Sequence, residues 1–221
     1  MRRETDPSGP HNGGSICDLC SGLDQTVATI QLTMSNKKKY PRAAAMEVAA
    51  ELCRALRPSV DRLIVAGSLR RRKLEVGDVE VLFIPKFSRR VVDLFYETNV
   101  SLADETLERL LTAGIIQHRP NVNGSVIWGE KNKLAIHSAS GIPVDFFTAS
   151  EENWFNYLVC RTGSAASNTI IAGAAQFKGW KWNPYGPGFT DDRGQIQRVT
   201  SERDVFALAG LVYLEPWERN I

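Results

Sequence analysis

The sequence has few of the features that mark secreted or membrane proteins. It contains only four cysteines in 221 residues, which are too few and too scattered for a disulfide scaffold. No run of apolar residues approaches the length needed to span a bilayer, and the charged N-terminus lacks the hydrophobic segment of a secretory signal. The sequence therefore predicts a cytoplasmic protein with reduced thiols and without a membrane partner.

An excess of charge of one sign is also absent. Lys and Arg number 27 against 25 Asp and Glu, which leaves a net charge of +2. Global charge therefore does not mark a nucleic-acid-binding protein, and any such contact must come from local basic clusters. With 43% hydrophobic and 24% charged residues, the chain fits one ordinary domain or two small lobes that share a core.

The first 38 residues are rich in Gly, Ser, Asn, Asp and Lys, and we expect them to form a flexible leader. Cys17 and Cys20 have the two-residue spacing of a zinc knuckle, with His11 upstream. A closed zinc site needs four ligands, and no second pair follows. We interpret this spacing as chance.

Hydrophobic periodicity from Pro41 onward predicts a series of helices and strands. Helices are expected at residues 41–57, 102–113, 150–160, 164–177 and 202–209, and strands at 62–66, 79–84, 115–118, 125–128, 133–138 and 142–148. A helix, then a mixed sheet with crossovers, then a helical lobe predicts an α+β (mixed α/β) fold. The boundaries fall at residues 39–149 for the sheet domain and 150–221 for the lobe.

A glycine-serine turn follows the first long strand. The strand runs into Gly67 and Ser68 and then into a short basic helix. Backbone N–H groups, a hydroxyl and a helix N-terminus suit a triphosphate, and glycine lets the backbone approach closely. This turn is a candidate phosphate-binding site.

Two acids lie on the next strand. Asp78 and Glu80 are two residues apart, so the pleat directs both carboxylates to one face while Val79 and Val81 enter the core. Carboxylates on one face are suitable hard oxygen ligands for a metal ion. Acids alternating with valines on a solvent-facing strand would give the same pattern.

A third acid, Asp145, lies in the middle of an apolar strand. Burial of an unpaired carboxylate costs on the order of several kcal/mol. We therefore expect a cation next to Asp145. That cation is either a metal ion or an arginine such as Arg70 or Arg72. The upstream glycine-serine turn favours a metal shared with Asp78 and Glu80.

Together these residues resemble a known family. Gly67 to Arg71 followed by Gly77 to Glu80 resembles the signature of the polymerase beta nucleotidyltransferase superfamily, in the form typical of family X DNA polymerases. Arg161 to Ser164, with Asn168, is similar to the nucleotide-binding helices of that family. The resemblance covers about residues 40–221, and several motifs in family order are more specific than any one of them.

The resemblance implies a nucleotidyltransferase palm at residues 39–149 and a thumb-like nucleotide-binding lobe at 150–221, without the lyase domain of larger relatives. The implied reaction adds dNTPs to a primer 3′-hydroxyl with two Mg²⁺ or Mn²⁺ ions. The implied partners are nucleoside triphosphates and DNA, either primer–template or gapped. We expect a monomeric, small repair-type polymerase, of a size that suits a phage, viral or accessory enzyme.

The resemblance also implies roles for individual residues. The catalytic metal ligands are Asp78, Glu80 and Asp145. Nucleotide-binding residues are Gly67, Ser68, Arg71, Gly77, Arg161, Thr162, Gly163, Ser164 and Asn168. DNA contact is expected from local basic residues, namely Lys131, Lys133, Lys178 and Lys181, mostly through phosphate.

The chain departs from the family pattern at several places. Glu80 stands where the family polymerases usually have aspartate, and we expect Mn²⁺ to support activity better than Mg²⁺, which is stricter about geometry. Cys160 and Arg161 replace an aromatic pair that helps to exclude ribonucleotides, so we expect weak discrimination between dNTPs and rNTPs.

Two other functions remain open at this point. The same three acids would serve a transferase that works without a template, or on RNA or a small molecule. A protein of a different class would bind nucleotide or DNA without catalysis because Glu80 has spoiled the metal site. Carboxylates at all three positions argue against the second possibility.

Overall fold

The computed structural model describes residues 38–93 and 96–221. The predicted leader lies outside these residues, apart from Lys38, and so do Cys17 and Cys20. In the described parts of the chain, no helix is long and apolar enough to cross a membrane.

The described segments contain helices and short strands. The helices are α1 (Arg42–Leu56), α2 (Gly67–Arg70), α3 (Leu102–Thr112), α4 (Trp154–Thr162), α5 (Ala165–Phe177) and α6 (Glu202–Ala209). The strands are β1 (Tyr40–Pro41), β2 (Val60–Val65), β3 (Glu75–Val76), β4 (Val79–Pro85), β5 (Phe87–Asp93), β6 (Tyr96–Ser101), β7 (Ile116–His118), β8 (Asn132–His137), β9 (Pro143–Thr148), β10 (Lys181–Trp182), β11 (Gly188–Thr190) and β12 (Ile196–Arg198). The predicted α+β fold class is confirmed.

A five-stranded mixed sheet is the centre of the fold, with strand order β2-β4-β9-β8-β7. Strands β4 and β9 are parallel, whereas the other neighbours are antiparallel. In the parallel pair, Glu80 is the direct partner of Asp145. Because paired residues on neighbouring strands share a face, both carboxylates lie on the same side of the sheet.

The alternation along β4 assigns one face of the sheet to the main core. Val79, Val81 and Phe83 are fully buried and pack with the apolar side of α1 and α3. Leu82 points to the opposite face and packs with α4. The carboxylate of Glu80 therefore lies on the α4 side of the sheet, at the end where β4 begins.

The chain after α4 has its own apolar cluster, formed by α5, α6 and the small antiparallel sheet β10-β11-β12. The buried Asn156 of α4 forms hydrogen bonds with this sheet and with the loop beside it. Its Nδ2 donates to the carbonyl of Gly186 at 3.0 Å, and its Oδ1 accepts from Trp182 Nε1 at 2.6 Å. The indole of Trp182 thus serves packing.

Two local predictions were wrong, and two elements were missed. The expected strand at 125–128 has only isolated bridges at Val126 and Trp128, since the Asn121 side chain binds the turn before it. The helix expected from residue 150 begins at Trp154, because Asn153 accepts from the Ser150 N–H and holds a turn there. The β5–β6 hairpin and the β10–β12 sheet were not predicted, because their alternation is short and polar.

Candidate active site

Three carboxylates share one end of the central sheet. Glu80 and Asp145 are paired across β4 and β9, and Asp78 precedes Glu80 by two residues on the same face. Burial raises the pKa of Glu80 to about 8, and the negative charges of Asp78 and Asp145 add to the increase. The three acids are therefore close enough to repel one another.

The glycine-serine turn lies directly against Glu80. Gly67 has φ +60°, and a Cβ atom at this position would lie 1.9 Å from Glu80 Oε2. The backbone N–H of Ala66 donates to the Glu80 carbonyl at 2.8 Å. Among the described residues, the buried Ser68 Oγ has no hydrogen-bond partner. The turn thus brings an unsatisfied hydroxyl to the edge of the carboxylate group.

Asp145 forms an ion pair with Arg119. The two side chains are 16% and 20% exposed, respectively. The sequence had indicated a metal or an arginine such as Arg70 or Arg72, and Arg119 was missed. The signal for Arg119 is its place in the sheet, one residue beyond β7, which needs the strand order.

The set of three acids, Asp78, Glu80 and Asp145, suits a divalent cation in the type of its donor atoms and in its charge. Three carboxylates provide hard oxygen donors of the kind that Mg²⁺ and Mn²⁺ prefer. Burial is the main cause of the raised pKa of Glu80, and the charges of Asp78 and Asp145 add to it, so a cation would relieve their repulsion. The side chains are not assembled as ligands: within residues 38–93 and 96–221, no three His, Cys, Asp or Glu form a ready-made metal site. Asp145 is directed to Arg119 instead.

Arg70, the last residue of α2, and Arg71, which follows it, contact the C-terminal part of the chain. Arg71 Nη1 donates to the Thr162 carbonyl at 2.6 Å, and its Nε donates to Asn220 Oδ1 at 3.0 Å. Burial lowers the pKa of Arg71, while the charges of Glu80 and Asp78 oppose this. Arg70 donates to Thr162 Oγ1 at 2.6 Å and pairs with Glu202.

Arg161 lies in a cage of aromatic rings beside Glu80. Its guanidinium is 3.9 Å from the ring centre of Phe147 and 5.2 Å from that of Tyr157. Its Nη2 donates to the Tyr185 hydroxyl at 3.1 Å. The positive charge of Arg161 partly offsets the rise in the pKa of Glu80.

Comparisons with known proteins find similarity to DNA polymerases. The family model described as "DNA polymerase beta thumb" matches residues 157–220. The chain is 25% identical, over 231 aligned residues and 95% of its length, to DNA polymerase lambda of Rattus norvegicus. The resemblance to polymerase beta-like family X polymerases is confirmed. The chain spans 39% of the length of this rat relative.

The thumb match includes the C-terminal part of the predicted nucleotide-binding set, from Arg161 to Asn168. Thr162 is fully buried and accepts hydrogen bonds from Arg70 of α2 and from the next residue, Arg71. Asn168 Nδ2 donates to the Cys160 carbonyl at 2.9 Å, and a Cβ on Gly163 would lie 2.6 Å from Asn168 Oδ1. Ser164 caps α5 and donates to the Ile221 carbonyl. These side chains are engaged within the protein.

The four lysines assigned to DNA differ in their surroundings. Lys133 is buried, pairs with Asp104 at 2.8 Å and donates to the Gly129 carbonyl, so it cannot reach DNA in this arrangement. Lys178 is exposed but donates to the Leu208 carbonyl at 2.7 Å. Exposed positions are also held by Lys131 and Lys181. Gly77 lies between β3 and β4, directly before Asp78.

Proposed function

We propose that this protein is a DNA-directed nucleotidyltransferase that adds dNTPs to a primer 3′-hydroxyl. The observation that carries the proposal is the direct pairing of Glu80 with Asp145, with Gly67 packed against the Glu80 carboxylate. The similarity to DNA polymerase lambda and to the polymerase beta thumb supports a DNA polymerase function in general.

We assign metal binding to the acids of the site, and phosphate binding to Ser68 and Arg71. Asp78, Glu80 and Asp145 would hold two Mg²⁺ or Mn²⁺ ions. When bound, such ions activate the attacking oxygen and neutralise the leaving pyrophosphate. Ser68 offers an unsatisfied hydroxyl to a phosphate oxygen. Arg71 now donates hydrogen bonds to the Thr162 carbonyl and to Asn220. Phosphate is a stronger acceptor, so Arg71 would bind the triphosphate in place of these two partners.

We place the primer end near Asp145 and the triphosphate near Ser68. We assign contacts with the DNA backbone to Lys131, Lys178 and Lys181. Lys133 is excluded because it is buried. Such contacts bind without reading sequence. A role in repair, a cytoplasmic location and a monomeric state are part of this proposal.

Primer extension tests the proposal most simply. The full chain is incubated with a labelled primer, with and without a template strand, with each dNTP and rNTP, and with Mg²⁺ or Mn²⁺. We expect template-dependent extension, faster with Mn²⁺, and weak rejection of ribonucleotides. Equal extension without a template would instead indicate a template-independent transferase. No incorporation on any acceptor would leave a protein that binds nucleotide or DNA without catalysis.

A further inference from the structure

Arg119 belongs to the same row of residues as the carboxylates. Its backbone N–H donates to the Leu134 carbonyl at 3.0 Å, which continues the pairing of β7 with β8. Leu134 is the direct antiparallel partner of Asp145, and Asp145 is the partner of Glu80. Paired residues share a face, so Arg119, Asp145 and Glu80 lie in one line across the sheet.

The position of the guanidinium is well defined by this row. Arg119 Nη2 binds Asp145 Oδ1 across Leu134, and both side chains are mostly buried. Arg119 Nε is buried without a partner in the part of the chain that the structure describes. The pair with Asp145 therefore fixes the guanidinium through Nη2, although the unsatisfied Nε carries a cost.

We propose that Arg119 is a positioning residue that acts through Asp145 and competes with the divalent ion for this carboxylate. The inference rests on the proposed function, because it assigns an ion to the same site. Arg119 holds Asp145 in the row beside Glu80. A divalent ion must then share the carboxylate or displace the guanidinium before the three acids come together.

This role has a consequence that a purely structural ion pair lacks. A fixed positive charge beside Asp145 opposes a second cation at short range, where the interaction is only weakly screened. Removal of Arg119 should therefore strengthen metal binding in the absence of substrate. The same removal should slow turnover, because Asp145 loses the contact that sets its orientation. A purely structural pair would weaken both.

The test measures Mn²⁺ binding to the full chain by electron paramagnetic resonance of free Mn²⁺, without nucleotide or DNA. The variants are Arg119→Met, which keeps the bulk, and Arg119→Lys, which keeps the charge. Arg198→Met removes an arginine from an exposed ion pair with Glu152 and serves as the control. Kinetics of dNTP incorporation are measured on the same preparations.

We expect Arg119→Met to bind Mn²⁺ at least threefold more tightly than the wild type. Its kcat should fall at least tenfold, with the KM for dNTP within twofold. Arg119→Lys should stay near the wild type in Mn²⁺ affinity and recover part of kcat. Arg198→Met should change none of these quantities.

Equal or weaker Mn²⁺ binding by Arg119→Met overturns the inference but leaves the proposed function intact. Absence of Mn²⁺ binding in both the wild type and Arg119→Met overturns both. If Arg119→Met does not fold, as judged by circular dichroism, Arg119→Gln replaces it. The same tightening is expected for Arg119→Gln, and its absence overturns the inference equally.

Discussion

Gly67 and Glu80 are in direct contact: a Cβ atom on Gly67 would lie 1.9 Å from Glu80 Oε2. The turn that precedes α2 and the middle carboxylate of β4 are therefore built as one unit. Two separate features require glycine at position 67. One is the contact with Glu80, and the other is the backbone φ of +60°, which is strained for residues that have a side chain. The glycine-serine turn and the acids cannot change independently of each other.

Replacement of Gly67 by alanine should separate these two requirements. We expect Gly67→Ala to displace Glu80 and to reduce nucleotide incorporation at least 100-fold. Gly114→Ala is the matched control, since Gly114 has φ +70° but nothing within 4 Å of an added Cβ. Both variants should lose about 1 kcal/mol or more of unfolding free energy from backbone strain. Equal activity losses in the two would contradict the contact.

The raised pKa of Glu80 predicts how the metal-free protein responds to pH. The unfolded carboxyl titrates near 4.5, whereas the folded pKa is about 8. Between these values unfolding releases a proton, so the folded state loses stability as the pH rises from about 5 to 8. We expect a loss on the order of a few kcal/mol across this window.

Urea unfolding with a chelator at several pH values measures this effect. Glu80→Gln has no proton to release at this position, so its stability should change less between pH 5 and 8. The difference between the two proteins isolates Glu80 from other titrating groups. Parallel pH profiles for the two would show that Glu80 titrates normally.

The ion pairs around Glu202 should matter for stability. Glu202 binds Arg70 of α2 and also Arg219, which is 0% exposed. Burial acts to raise the pKa of Glu202, but the contacts with Arg70 and Arg219 hold it below its ordinary value. We expect Glu202→Gln to cost about 3–5 kcal/mol, because the buried charge of Arg219 loses its partner.

Urea denaturation of Glu202→Gln checks this value. The control is Glu152→Gln, which removes an acid from an exposed pair with Arg198 and should cost less than about 1 kcal/mol. Similar losses in both variants would mean that the buried pairs contribute no more than the exposed one.

The exposed and buried lysines of the β8 region should behave differently toward DNA. Lys131→Ala should weaken DNA binding and lower its salt dependence by about one ion. Lys133→Met should leave DNA affinity unchanged, because Lys133 is buried against Asp104 and Gly129. Fluorescence anisotropy at several salt concentrations compares the two. A weaker affinity for Lys133→Met alone would reverse this assignment.

Much of the fold could be predicted from local pattern. Ser101 and Ser201 cap α3 and α6 as their sequences indicate, and the alternation of acids with valines gave the faces of β4. Strand order is not local information. The pairing of Glu80 with Asp145 joins residues 65 positions apart by number. Only the cost of burying Asp145 and the family resemblance pointed to a shared site, and neither gave the strand pairing.

The partners of the arginines could not be predicted for the same reason. Arg119 follows a short strand and has no local pattern that points to Asp145; the contact depends on β8 lying between them. Lys133 was misjudged because a lysine on an alternating strand reads as solvent-exposed, whereas here it reaches Asp104 of α3. Long-range packing decides which charged side chains are buried.

The central claim is that Asp145 acts with Asp78 and Glu80 as one catalytic group. It is tested by the rate of dNTP incorporation by Asp145→Asn with Mn²⁺, because this change keeps the shape and removes one ligand charge. Asp192→Asn, at an exposed aspartate, is the control. We predict a rate at least 100-fold below that of the wild type, with the fold retained as judged by circular dichroism, and a normal rate for the control. Incorporation by Asp145→Asn within threefold of the wild type would contradict the claim.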